Sequence, residues 1–192
     1  MEISIYNPLP YYSIVFLYTL FYIFCTYFHN PFITLWIVFG LLPLLDQLLS
    51  MDLVNPKKEQ QREMKNLTRF KVPLVLTIML DWVFLFWAMK ELIEKDHDLL
   101  YKFGVFSVMV TLEGASINTS HELNHKINKF ENILGTLNLS KSFYMHFIIE
   151  HNQGHHRNVA TFDDPATSRL NESVYRFFPR TVINTYISSW EI

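Results

Sequence analysis

Four apolar runs, each about as long as a bilayer is thick, leave this chain few ways to fold. Tyr11 to Phe28 holds 18 residues without a charged side chain, and as a helix at 1.5 Å per residue it rises ~27 Å, close to the hydrocarbon thickness. His29, Asn30 and Pro31 form a turn, and Phe32 to Leu49 returns as a second helix. Val72 to Leu92 and Phe103 to Ser120 supply a third and a fourth. Backbone inside hydrocarbon must satisfy its own hydrogen bonds, so runs of this kind become helices. The expected fold class is all-α and integral-membrane, with four transmembrane helices at about 11–28, 32–49, 72–92 and 103–120 in a single membrane domain over 1–192. Aromatic residues make up 16% of the chain, as expected where rings gather at both bilayer interfaces. No basic residue precedes the first run and no small-residue cleavage pattern follows it, which argues against a cleaved signal peptide.

The charges orient these helices. Ser50 to Lys71 holds Lys57, Lys58, Arg62, Lys65, Arg69 and Lys71. Met64, Leu67 and Phe70 recur every three residues within it, predicting a short helix on the membrane surface with its basic face in water. Glu59 and Glu63 interleave the bases, so no nucleic-acid partner is expected. Basic residues are concentrated after the second and fourth helices, whereas the turn after the third mixes them with acids. By the positive-inside rule the N-terminus, the basic loop and everything after the fourth helix face the cytoplasm. Asp46, Asp81 and Glu113 fall inside apolar runs, where a lipid-facing charge is costly, so each is expected to face protein or water. Cys25 is the single cysteine, which excludes an intrachain disulfide and a paired-cysteine metal site.

Chemistry enters with two short boxes, HELNHK (His121 to Lys126) and EHNQGHH (Glu150 to His156), which hold five of the eight histidines. If the fourth helix continues through the first box, His121 and His125 stand one turn apart on one face and can share a metal ion. Imidazole serves iron, zinc or copper. The box also fits HExxH, with Glu122 as a protease's general base. His151 and His155 are again four apart, while His156 points about 100° away from His155, so the adjacent pair can serve two ions. A catalytic zinc takes three protein ligands and keeps a position open, so five imidazoles favour a dinuclear site. Metal ligation is therefore expected of His121, His125, His151, His155 and His156. Asn118, Glu122 and Glu150 are candidates to receive the other N–H of a bound imidazole. Val110, Gly114 and Ile117 continue the face of His121 up the helix as a candidate substrate channel, with close helix packing as the alternative use of the small residue. His29 and His97 are expected in water, and His146 off the ligand face.

The two boxes, the RNVAT after the second, and DDPATSRLNESVYRFFPR (Asp163 to Arg180) together resemble the integral-membrane alkane 1-monooxygenases, relatives of the membrane fatty-acid desaturases. The resemblance runs from about Pro43, through LLPLLDQLL and Asn55–Pro56, to the C-terminus. It implies two non-haem iron ions, O2 as co-substrate, and hydroxylation of the terminal carbon of n-alkanes, with no catalytic residue beyond the metal ligands. It also implies electrons from NAD(P)H through rubredoxin reductase and rubredoxin, and a multi-pass location in the plasma (inner) membrane with lipid around it and both boxes facing the cytoplasm. No Gly-rich nucleotide fingerprint is visible, so the reductase is expected on another chain. The same boxes serve fatty-acyl desaturases and hydroxylases; an intramembrane zinc protease and a non-catalytic metal-binding remnant are the other readings. The family's site draws further on a third histidine cluster and an HYG segment in the second half of a longer chain. Neither occurs here, so this sequence is expected to be the N-terminal half of a larger desaturase-like domain, inactive by itself.

The charge distribution makes a testable orientation. In a Cys25→Ser background, Lys58→Cys should react only with membrane-permeant thiol reagents, while Asp96→Cys should react with impermeant reagents added outside. The reverse labelling pattern would place both histidine boxes on the wrong side.

Overall fold

The computed structural model describes residues 6–49, 56–126 and 128–192, and among these every regular element is helical. Ser50 to Asn55, the start of the basic loop and half of the Asn–Pro match, lies outside the described residues. The chain forms two compact units, Met1–Thr119 and Ser120–Ile192.

The first unit begins with a 3-10 turn, Leu9–Tyr12, leading into α1 (Ser13–Thr26). There follow α2 (Phe32–Leu48), which contains a π turn at Ile37–Leu41, α3 (Lys58–Asn66), α4 (Thr68–Glu94) and most of α5 (Leu99–Asn124). Three helices, Leu9–Thr26, Thr68–Glu94 and Leu99–Asn124, are long and apolar enough to cross a membrane; Phe32–Leu48 is a shorter apolar helix. Helices α4 and α5 each start four residues before the apolar runs at Val72 and Phe103. A helix stops where its backbone dihedrals break, here at Leu67 and Lys95, both extended, rather than where hydrophobicity fades.

Tyr18, Phe21 and Cys25 of α1 pack with Phe84 and Ala88 of α4 and with Tyr101, Val105, Val108 and Leu112 of α5. The rings of Phe21 and Phe84 meet edge-on at 4.3 Å. Where α5 passes the first turn, a Cβ on Gly104 would lie 2.4 Å from Pro31 Cγ, so the close approach needs a residue without a side chain. A polar node crosses the same core. Asp81, 4% exposed, accepts from Tyr18 Oη at 2.7 Å and from Ser116 Oγ at 2.5 Å, which joins α1, α4 and α5 through one carboxylate. Asp46, by contrast, is exposed near the end of α2.

Two local expectations are corrected. His97, expected in water, has a side chain only 18% exposed: the turn after α4 is so short that it folds the imidazole onto the buried Glu91 (Nε2–Oε1 2.9 Å) and stacks it on Tyr101 at 4.1 Å. The apolar stripe of the basic segment, expected on one short helix, is divided between two helices and packs on protein. Met64 is buried on α3, the chain breaks at Leu67, and Phe70, already in α4, packs edge-on against Tyr11 at 5.3 Å.

The second unit contains the last turn of α5, α6 (Lys129–Leu139), a helical segment α7 over residues 147–158, and α8 (Val174–Glu191). Asn128 caps α6 by accepting from Phe130 N at 2.9 Å, satisfying one of the amides a helix start leaves unpaired. Helix α6 folds back along the end of α5. Asn138 Nδ2 donates to Ser120 Oγ at 2.8 Å and Asn132 Nδ2 to Asn124 O at 3.0 Å. A Cβ on Gly135 would come within 2.8 Å of Ser120 O, so this approach needs a residue without a side chain. The turn that carries the first histidine box is thereby fixed.

The Asp81 node predicts a measurable stability loss. Asp81→Leu removes the shared acceptor of two buried hydroxyls, leaving Tyr18 Oη the longer contact to Leu112 O at 3.4 Å; at up to about 1–3 kcal/mol for each bond not replaced, this should lower the unfolding midpoint of the detergent-solubilised chain, and adding Tyr18→Phe should restore part of it. An Asp81→Leu chain as stable as the parent would remove the node from the account of the fold.

Candidate metal centre

His121 lies on the last turn of α5, His125 just beyond it, and His151 in α7. Their Nε2 atoms converge: His121 to His151 is 2.7 Å, His121 to His125 is 2.9 Å, and His125 to His151 is 3.3 Å. All three side chains are half-buried. Each neutral Nε2 is either a donor or an acceptor, and with three atoms in two states at least two must be alike. At least one of the three contacts is therefore repulsive as long as the rings have only each other. A cation between them removes the conflict, since all three can then present lone pairs. The spacing suits this, because ligands ~2.1 Å from one ion lie about 3.0 Å apart at a right angle and about 3.4 Å apart at the tetrahedral angle. Burial first, and then the neighbouring imidazoles, push His151 down to about 4, which keeps its ring in the neutral form that binds a metal.

The middle of α7, Glu150–His155, is a π turn, a form common at functional sites. Its wider i→i+5 winding changes the neighbours assumed for an α-helix. His156, not His155, is the box partner nearest His151, with ring centroids 4.4 Å apart against 5.4 Å. His156 is exposed and its ring lies parallel to that of His125 at 5.1 Å. Within the turn the buried Glu150 folds over Gly154, where a Cβ would sit 2.5 Å from Oε1.

His155 faces a different partner. Its Nδ1 lies 2.8 Å from Oδ2 of Asp164, a carboxylate 2% exposed. Asp164 also accepts from Ala166 N at 2.9 Å and from Thr167 Oγ1. Burial alone would raise Asp164, but these donors outweigh it and hold the carboxyl below the ordinary range. An ionised carboxylate can only accept, so Nδ1 of His155 carries a proton, and in the neutral ring this leaves the lone pair on Nε2. In the sequence Asp164 stands out only as part of the DDPATSR stretch, with no spacing that assigns it a role. Loop residues carry no period from which such a contact could be read.

The other expected residues are placed as follows. Glu122 is 52% exposed at its side chain and takes Lys126 Nζ at 2.5 Å. Asn118 is exposed. Val110 and Gly114 lie on an exposed face of α5 with Ile117 half-buried, and a Cβ on Gly114 meets nothing within 4 Å. Among the described residues, none packs closely on Gly114. His146 packs between the rings of Tyr144 and Tyr186, at 4.8 and 5.1 Å. The loop bearing Asp164 is held from α8 by Arg180, whose guanidinium grips Glu172 (Nε–Oε1 2.6 Å, Nη2–Oε2 2.7 Å).

No family model matches the chain. Similar curated proteins include alkane 1-monooxygenase 2 of Alcanivorax borkumensis, 35% identical over 81% of this chain and 41% of the relative. The alkane 1-monooxygenase of Acinetobacter baylyi is 33% identical over 79% of this chain and 37% of the relative. That of Ectopseudomonas oleovorans is 34% identical over 79% and 38%. The chain thus spans about two fifths of the length of these relatives.

The grip on the loop has a pH signature. Hydrogen bonding from Arg180, followed by that from Arg169 N, lowers Glu172 from 4.5 to about 2. A depressed carboxylate contributes stability above its ordinary value and loses it as pH falls through the folded value. The Arg180 side-chain resonance should therefore hold steady from pH 7 to 4 and shift with a midpoint near 2. A midpoint near 4.5 would mean that the pair is not formed in solution.

Proposed function

We propose that this chain, a sequence relative of the alkane 1-monooxygenases over most of its length, holds non-haem iron and takes part in hydroxylating the terminal carbon of n-alkanes. The observation that carries the reading is the meeting of three imidazole Nε2 atoms within 3.3 Å, in a chain with three helices fit to cross a bilayer, the phase in which an alkane dissolves. Breaking an unactivated C–H bond with O2 needs a redox metal, and iron supplies that chemistry when bound. Zinc-protease chemistry is disfavoured because Glu122, the base it requires, is engaged with Lys126 on the exposed side.

In this proposal His121, His125 and His151 hold one ion, and His155 and His156 serve a second. Five imidazoles cannot fill two iron coordination spheres, so further donors come from outside the two boxes. Asp164 fixes the tautomer of His155, and Glu150 stiffens the π turn from behind. The open face of α5 at Val110, Gly114 and Ile117 receives the alkyl chain. Phe32–Leu48 completes a four-helix membrane domain in the plasma membrane, with the boxes facing the cytoplasm. There rubredoxin, charged by rubredoxin reductase, delivers electrons.

Metal titration tests the core of this. Under anaerobic conditions the full chain in detergent should bind Fe2+ or Co2+, and His125→Ala or His151→Ala should weaken binding by more than the ~10–100-fold typical of groups behind the ligands. His146→Ala should leave it unchanged. Equal affinity in all three variants, or an as-purified chain with one zinc and no iron, would sink the reading.

A further inference from the structure

Arg180 makes a set of contacts that the metal reading does not use. Besides its two parallel bonds to Glu172, it donates from Nη1 to Pro165 O at 3.0 Å and from Nη2 to Thr167 O at 2.9 Å. Its side chain is 14% exposed and that of Glu172 is 4% exposed, so water screens little of the pair. Glu172 in turn accepts from Arg169 N at 3.0 Å. Among the described residues every acceptor of this guanidinium therefore belongs to the loop 163–172, and the two carbonyls bracket one short stretch of it. Pro165 directly follows Asp164, and Thr167 is the residue whose hydroxyl donates to the Asp164 carboxylate. The planar fork of Arg fixes direction as well as charge, which a lysine ammonium on a flexible stem does not.

The geometry points to Arg180 and Glu172 as positioning residues for the metal centre: by clamping loop 163–172 they hold the Asp164 carboxylate at 2.8 Å from His155 Nδ1, so that His155 keeps its proton there and offers Nε2 to a metal. The clamp touches no histidine and acts only through Asp164. Its last step, toward a metal, rests on the function proposed above. The hold on the tautomer does not.

The test reads both steps on the full chain in micelles. With 15N-labelled histidine and no metal, long-range 1H–15N correlation should find His155 in the Nδ1–H form. In Arg180→Gln and Glu172→Gln the same spectrum should show mixed tautomers at His155 alone, with helical circular dichroism unchanged. Arg180→Lys keeps the charge but not the fork and should behave likewise, so it replaces Arg180→Gln if that variant does not fold. Co2+ affinity should fall about 10–100-fold in each, and Arg180→Gln combined with Asp164→Asn should bind no more weakly than Asp164→Asn alone. An unchanged His155 tautomer in folded variants, or additive losses in the double variant, would overturn the proposal. Tautomer shifts as stated in a chain that binds no Co2+ would leave the clamp standing and sink the metal reading instead.

Discussion

Three imidazole nitrogens held within 3.3 Å of one another are a conflict that the second unit has to sustain. Left to themselves, the rings would separate until water filled the lone pairs. What prevents this is backbone. The side chains of Asn132 and Asn138 and the bare Cα of Gly135 fasten α6 along the last turn of α5, which keeps His121 and His125 at one turn's distance. Across from them, the π turn of α7 delivers His151. Neither the amide bonds of α6 nor the bare Cα of Gly135 involves a histidine, so the placing of His121 and His125 is carried by contacts outside the cluster.

The long helices were legible because hydrophobicity and length are one-dimensional properties. So was the pairing of His121 with His125, which needs only a helix continuing to Asn124. The π turn was not. Winding from Glu150 to His155 depends on how that turn seats against its surroundings, and no composition rule distinguishes i→i+4 from i→i+5, so nothing in the sequence sets His156 nearer than His155 to His151. Asp164 was illegible for a related reason. It reaches His155 from an irregular loop, where periodicity says nothing about direction. His97 went wrong through the opposite simplification, that a histidine in a charged turn is solvated, because burial of Glu91 was not foreseeable.

Glycine shows the same limit. The sequence singled out Gly114, on the ligand-bearing helix, for close packing or a channel. The positions at which a side chain collides are Gly104, Gly135 and Gly154, one in the first unit and two in the second. Gly104 and Gly135 lie where a turn or a helix end is pressed against another segment, and Gly154 lies under the side chain of Glu150 from its own π turn. Close approach is a property of the partner, and a single sequence does not name partners. Gly114 remains the glycine of α5 with open space over it, consistent with the channel role proposed for that face.

The two halves of the second box are held very differently. His155 is tied through Asp164 to a buried network of carboxylate, hydroxyl and guanidinium, whereas His156, its neighbour in sequence, is exposed and lies beside the rings of His125 and His151. A ring fixed by a carboxylate loses little entropy on binding a metal. An exposed ring must be ordered at that moment, and ordering a free side chain costs on the order of 1 kcal/mol. On the proposed reading the position served by His156 is therefore the adaptable one. On that reading a first ion would meet three converged nitrogens, whereas a second would have to order His156 as it bound.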